Sequence, residues 1–451
     1  MTKRTPCTFL LWTYFIALPG SLAFARPAQY VPPVEASAAT RWADLSRYVI
    51  RYSPSNSPTY ASRSLGYLGL TMYECVVAAD TLHRSLGGQL SGLSGLPQPQ
   101  PGQTYHWPVV LSAGQSFLLY RLYAHSTQAI LSRVDSLHGA IIRDAQATGV
   151  PAEVINRSLQ HGWAVAQVIF EWSATDGGHE AHAHTHDANY RLPTGASYWV
   201  APANGQKGAP LPIHPYWGRN RPFGPTNTPR LIPDAPAYST DPASDCYNEF
   251  KAVYLKQKSL TDEEKAIALW WSDDPKQSAA PPGHSYNIAT TLIRLRQPDL
   301  VTAAETYARV GMAVANAFIA CWACKYTYHR ERPSTFINAH IAAGWEPFWP
   351  EPPFPAFSSG HSTQAAATAT VLAALYGDRV TFVDSTHAAE PVDARTRLAY
   401  KPRRFKSLWH SAIECANSRF YGGIHTLVDN TVGLQEGQRI GRQINALRWC
   451  R

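Results

Sequence analysis

Apolar and small residues recur every three or four positions through most of the chain, the period of an amphipathic helix. Between Ser57 and Leu82 the stripe runs through Leu65, Leu68, Met72, Val76 and Ala79. Ser112–His125, Thr127–Thr148 and Ala152–Ser173 carry the same period; Gly149 stops the second of these and Pro151 opens the third. Thr261 with Glu264 three residues on forms a capping box ahead of a helix over Lys265–Ser272. Further helices are predicted over Ser285–Arg296, Leu300–Thr327, Ser362–Tyr376, Leu408–Tyr421 and Thr426–Leu447. Two stretches break the rhythm. From about Gly177 to Ser244, Pro, Gly, Asn and single aromatics crowd together with little periodicity. Gly344 to Phe357 holds five prolines and cannot be a helix interior. The pattern predicts a mainly α protein, one large helical domain over residues 26–451 with two long ordered loops, where functional residues often sit.

The start of the chain reads differently. Lys3 and Arg4 precede an apolar stretch from Phe9 to Pro19, and Ala23-Phe24-Ala25 offers a small-x-small cleavage site. Residues 1–25 are therefore expected to be a signal peptide, and the mature protein to be exported, periplasmic or secreted. No later apolar run reads as a membrane span, so no stable membrane association is expected after cleavage. Cleavage takes Cys7 away and leaves six cysteines, enough for disulfides in an oxidising compartment without fixing their pairing. Cys321 and Cys324 form a C-x-x-C without the βαβ surroundings of a redox motif, so a helix-borne pair is expected, bonded or free.

Composition narrows the function. Only 16% of the 451 residues are charged, against roughly 25% in an ordinary soluble domain. The net charge is +8, of which the leader accounts for two. The densest basic run, Lys401 to Lys406, is short and isolated, so no nucleic-acid partner is expected.

Three segments carry candidate chemistry. In the first, Lys325 and Arg332 stand seven residues apart, almost two helical turns, and are expected along one helix face, with Pro333 biasing the chain out of the helix. In the second, Ser358-Ser359-Gly360-His361 opens an Ala/Thr-rich helix, whose first turn supplies free amides and a positive dipole end for an anion. The third is Ser418-Arg419 followed by His425 and Asp429; this His and Asp are i, i+4, so the carboxylate can hold one ring nitrogen and orient the other. Each segment alone also has an ordinary explanation: an exposed basic face, a serine N-cap, a surface His–Asp pair.

Together and in this order, K-x6-RP, SGH and SR-x5-H-x3-D resemble the signature of the vanadium-dependent haloperoxidases and the related type-2 phosphatidic acid phosphatases. The likeness to bacterial vanadium haloperoxidases extends to Ser57–Glu74, Trp270–His284 and Ile319–Pro333, with the catalytic motifs in 319–447. One departure is Ser358, where the family's second motif usually has proline. The resemblance implies a helical bundle holding vanadate (V5+), with His425 as the vanadium ligand. Lys325, Arg332 and Arg419 would surround the oxyanion, and Ser359 and Gly360 would complete its hydrogen bonds. His361 would manage protons, Lys325 would polarise the peroxide, and Asp429 would stand behind His425. The implied reaction oxidises halide with hydrogen peroxide to hypohalous acid. Phe354 and Trp322 are the candidates for a halide pocket, with iodide favoured and bromide as a second substrate. The same cradle suits phosphate, so an acid phosphatase working through a phosphohistidine on His425 is the alternative, and a non-catalytic oxyanion- or metal-binding protein a third. Four histidines, His179, His182, His184 and His186, form a solvated loop or a metal site. Trp270 and Trp271 read as core, while Asp273, Asp274 and His284 touch the site entrance or organise a turn.

Overall fold

The computed structural model describes residues 34–201, 211–226 and 232–451. The predicted leader lies outside these residues. Thirteen α-helices dominate the described chain: α1 Val34–Tyr52, α2 Pro58–Val76, α3 Trp107–Leu122, α4 Gln128–Ala147, α5 Ala152–Ser173, α6 Asp245–Lys258, α7 Asp262–Trp270, α8 Ala280–Arg296, α9 Leu300–Tyr328, α10 Pro333–His340, α11 Gly360–Tyr376, α12 Leu408–Tyr421 and α13 Leu427–Asn445. The predicted mainly α class holds, and α5 and α12 run over the predicted residues. A short antiparallel pair, β1 Phe382–Asp384 with β2 Arg403–Phe405, was not foreseen.

Local chemistry sets the helix ends. Thr261 and Glu264 form the expected capping box on α7. The Asp299 carboxylate accepts from the Thr302 amide at 2.8 Å and starts α9, which ends where His329 turns left-handed at φ 49°. Pro333 opens α10 rather than merely ending its predecessor, because its ring suits the first helical position. α1 and α6 were missed, and α8 begins five residues earlier than its period suggested, with Pro281 and Pro282 in its first turn.

Helix α9 is the axis of the core. It is also long and apolar enough to cross a membrane, contrary to expectation, yet 89% of its apolar window is buried within the protein. It packs against α2, α8, α11 and α13. Two seams let backbones approach closely. A Cβ on Gly69 of α2 would lie 2.4 Å from the Tyr307 carbonyl oxygen of α9. A Cβ on Gly437 of α13 would lie 2.0 Å from the Thr363 carbonyl oxygen of α11. Backbone cannot yield as a flexible side chain does, so Gly437→Ala should cost about 1–3 kcal/mol of stability, read from urea unfolding. An unchanged midpoint would show that the seam relaxes freely.

Candidate active site

The C-terminal ends of α9 and α12 and the N-terminal ends of α11 and α13 meet at one place. Lys325 lies in the last turn of α9 and is fully buried. Arg332 does not share its helix face, because the left-handed turn at His329 ends α9 and Arg332 is the extended N-cap of α10. The two cations converge instead on the proline-rich loop. Lys325 Nζ donates to the carbonyls of Pro355, Ala356 and Ser358 at 2.8, 2.7 and 2.7 Å. Arg332 donates to the Phe354 carbonyl through Nε and Nη2 at 3.1 and 2.9 Å. An ammonium has three protons, and all three of Lys325's go to this loop. Burial pushes the Lys325 amine down to about 8 and the Arg332 guanidinium down to about 10.

His425 precedes the N-cap of α13 rather than lying on the helix, and still reaches Asp429. Its Nδ1 stands 2.9 Å from Asp429 Oδ2, and its Nε2 3.1 Å from Arg332 Nη1. A carboxylate beside the first nitrogen and a guanidinium that can only donate to the second fix the tautomer: Nδ1 carries the proton and Nε2 the lone pair. Burial, reinforced by the Arg332 charge, drives the imidazole down to about 3 and keeps it neutral. Asp429 also accepts from the Thr426 amide at 3.2 Å, and Thr426 caps its amide in return. The carboxylate that orients His425 is thus itself held by a capping box.

Ser359 is the N-cap of α11. Its Oγ accepts from the Ser362 amide at 3.4 Å and stands 2.8 Å from the Ser362 hydroxyl, which also faces Asn430 Oδ1 at 3.2 Å. A Cβ on Gly360 would make only ordinary contacts with Cys321 and Trp322, so packing does not demand glycine there. His361 follows; its Nε2 is buried without a hydrogen-bond partner and stands 4.0 Å from Asp273 Oδ2. Burial, and then the Arg419 charge, hold its ring well below the usual imidazole range. Arg419, near the end of α12, donates through Nη1 to the Trp271 carbonyl at 2.9 Å, and its Nε is likewise buried without a partner. Ser358 replaces the expected proline and turns its hydroxyl to Glu436 at 3.2 Å.

Gly360, His361, Arg419 and His425 line one cavity of about 670 Å³, with Phe354 and Trp322 in its wall. Trp322 is fixed by its indole N–H to the Ile213 carbonyl, and its ring centroid lies 4.8 Å from that of Phe354. Asp273 and Asp274 line the same cavity.

Behind Asp273 lies a buried network that sequence reasoning identified only in part. The Asp273 carboxylate meets His284 Nδ1 at 3.0 Å and His387 Nε2 at 3.1 Å, and His284 Nε2 meets Asp384 at 2.7 Å. Burial works against a charged imidazole, but the two carboxylates outweigh it and raise His284 to about 10. Asp273, His284 and His387 are close enough to hold a cation. Their two-carboxylate surroundings disfavour an anion, so this network is distinct from the cationic group of Lys325, Arg332 and Arg419 that it borders. Asp384 and His387 came from a stretch with no sequence signal.

Of the remaining candidates, His186 lines the same cavity and Cys321 lies against the Ser358 carbonyl at 3.4 Å. His179, His182, His184 and His186 form no metal-sized group among the described residues; His182 stacks on His125, with ring centroids 3.6 Å apart. Cys321 and Cys324 are both borne on α9, and all six described cysteines are free.

Against known proteins, the model of the VCPO second helical-bundle domain matches residues 340–448. The fold is similar to the crystal structure of the first bacterial vanadium-dependent iodoperoxidase, at 29% identity, with a TM-score of 0.79, covering 93% of this chain and 98% of that one. The holo and apo forms of a bacterial vanadium-dependent chloroperoxidase match with TM-scores of 0.68 and 0.63. They cover 92% and 88% of this chain, and 96% and 94% of their own, at 15% identity, a likeness of fold alone. No curated protein sequence matches.

Proposed function

The chain belongs to the bacterial vanadium haloperoxidase family, and on that footing we propose that it oxidises halide with hydrogen peroxide to hypohalous acid, using vanadate held in the cradle around His425. The observation that carries this reading is the state of His425: a neutral imidazole whose lone-pair nitrogen stands 3.1 Å from the buried Arg332 guanidinium. The unpartnered Arg419 Nε and the Ser359 hydroxyl are donors of the kind an oxyanion needs, and His361 Nε2 is buried without a hydrogen-bond partner. His425 Nε2 would ligate vanadium, and Arg332, Arg419, Ser359 and the Gly360 amide would hold its oxygens. Vanadate, when bound, supplies the Lewis-acid centre that activates peroxide toward halide.

The protein's own groups do the rest. His361 Nε2 takes up and returns the protons that peroxide sheds, at a nitrogen no other group occupies. Lys325 contributes its charge to the field and ties the 354–358 loop in place, without a proton to spare. Phe354 and Trp322 form the apolar wall beside which halide would be oxidised. The similarity to an iodoperoxidase supports iodide as the favoured halide, and the signal-like pattern of residues 1–25 supports an exported protein.

The test is triiodide formation by the purified protein with vanadate, iodide and peroxide. Vanadate-dependent turnover supports the reading. Hydrolysis of p-nitrophenyl phosphate without vanadate, and no halide oxidation, would overturn it in favour of a phosphatase. Because Asp429 orients the ligand nitrogen, Asp429→Asn should weaken vanadate affinity about 10–100-fold, read from the vanadate concentration that restores half-maximal turnover.

A further inference from the structure

Asp273, His284 and His387 are buried, and each brings one donor atom within 4.8 Å of the others. They come from three separate pieces of chain: the turn after α7, the start of α8 and the segment after β1. Both Asp273 oxygens stand 3.0 Å from His284 Nδ1, and Oδ1 stands 3.1 Å from His387 Nε2. Ligand atoms about 2.0 Å from a tetrahedral zinc ion lie roughly 3.3 Å from one another, so a small outward shift admits the ion.

The His284 ring is already set for this role. It gives Nε2 to Asp384 at 2.7 Å, which turns Nδ1 back toward Asp273, and it lies flat on Trp271 with centroids 4.4 Å apart. Asp384 is in turn held by the Trp270 indole at 2.8 Å and the Thr386 amide at 3.0 Å. A carboxylate on the far nitrogen of an imidazole is the arrangement that orients metal-ligating histidines. Charge points the same way. Asp273 and Asp384 are both buried, and among the described residues no lysine or arginine forms an ion pair with either. A proton on His284 offsets one carboxylate; a divalent ion offsets both.

We propose that Asp273, His284 and His387 bind a divalent transition ion of the zinc class, with Asp384 orienting His284, and that the ion fastens the turn after α7 and the segment after β1 to α8. Two imidazole nitrogens beside a carboxylate suit zinc, whereas magnesium and calcium take oxygen ligands. Asp273 also lines the large cavity, which gives the ion a path in. The site stands whether or not the protein oxidises halide.

Equilibrium dialysis of tag-free, EDTA-stripped, vanadate-free protein against zinc chloride tests it, with bound metal counted by mass spectrometry. One zinc per chain is expected, unmoved by excess calcium, and the urea midpoint should rise when zinc is present. His387→Gln should weaken zinc binding about 100-fold or more, and Asp384→Asn about 10–100-fold. His184→Ala, in the histidine-rich loop, should leave binding unchanged. Should His387→Gln misfold, cobalt(II) on wild-type protein provides the check: its visible spectrum should be that of a four-coordinate ion. Absence of stoichiometric zinc, binding that follows His184 instead of His387, or the spectrum of hydrated six-coordinate cobalt would overturn the proposal. None of these readouts uses turnover, so their failure would leave halide oxidation standing, and a protein inert toward iodide would leave the metal site standing.

Discussion

Replacing His425 with alanine should remove vanadate-dependent iodide oxidation, by on the order of 1,000-fold or more. The size of the effect follows from what the ring supplies. Its Nε2 is the one lone-pair nitrogen set against Arg332, and its orientation is fixed by Asp429 on the far side. The fold has little reason to fail, because Asp429 keeps its bond to the Thr426 amide and α13 keeps its cap. Circular dichroism should therefore match wild type. Added imidazole should enter the space left by the side chain and restore part of the turnover. Full activity in the alanine variant would exclude His425 as the ligand.

The second large effect concerns stability and its pH dependence. His284 sits between Asp273 and Asp384 with both ring nitrogens engaged and no access to water. Its folded-state value of about 10 lies above the ordinary imidazole value, so its stabilising contribution is complete below about pH 6.5 and is lost as pH rises toward 10. Asp384 is held down to about 2 by His284 against the opposing pull of burial; its contribution is present above about pH 4 and is lost as pH falls toward 2. Stability should therefore peak between about pH 4 and 6.5 as far as this network governs it. His284→Gln leaves two buried carboxylates without their shared cation and should cost about 3–5 kcal/mol near pH 6. The same variant should flatten the alkaline decline. Urea midpoints at about pH 6 and pH 9 for both proteins measure it, and parallel declines would show that His284 is not the titrating group.

Much of the cradle was legible because its residues lie in three short motifs, each beside a helix end with chemistry of its own. Ser359 and Thr426 announce themselves as caps, and the i, i+4 spacing of His425 and Asp429 survives although His425 lies outside the helix. The period misled where a single backbone angle intervened. Extrapolating helix from Lys325 to Arg332 ignored His329, a residue with no sequence feature that demands a left-handed turn. Lys325 illustrates a different gap: its position was legible, but its three carbonyl partners come from a loop thirty residues on. The His284 network was least legible of all. Asp384 and His387 reach it through the β1–β2 pair, whose three-residue strands are too short to leave an alternating pattern.

The glycine seam between α11 and α13 has a bearing on the spacing of the site. α11 presents Ser359, Gly360 and His361, and the chain entering α13 presents His425 and Asp429. The Ser359 amide donates to the Asp429 carbonyl at 3.1 Å, and a Cβ on Gly433 would stand 2.8 Å from the Ser359 carbonyl oxygen. The seam thus acts as a caliper whose jaws are the two halves of the cradle. Side-chain bulk at Gly437 would bear on the Thr363 carbonyl, one turn beyond Ser359, and bulk at Gly433 on the Ser359 carbonyl itself, so either would open the jaws. The spacing of the two halves is thus set by the close packing of α11 on α13.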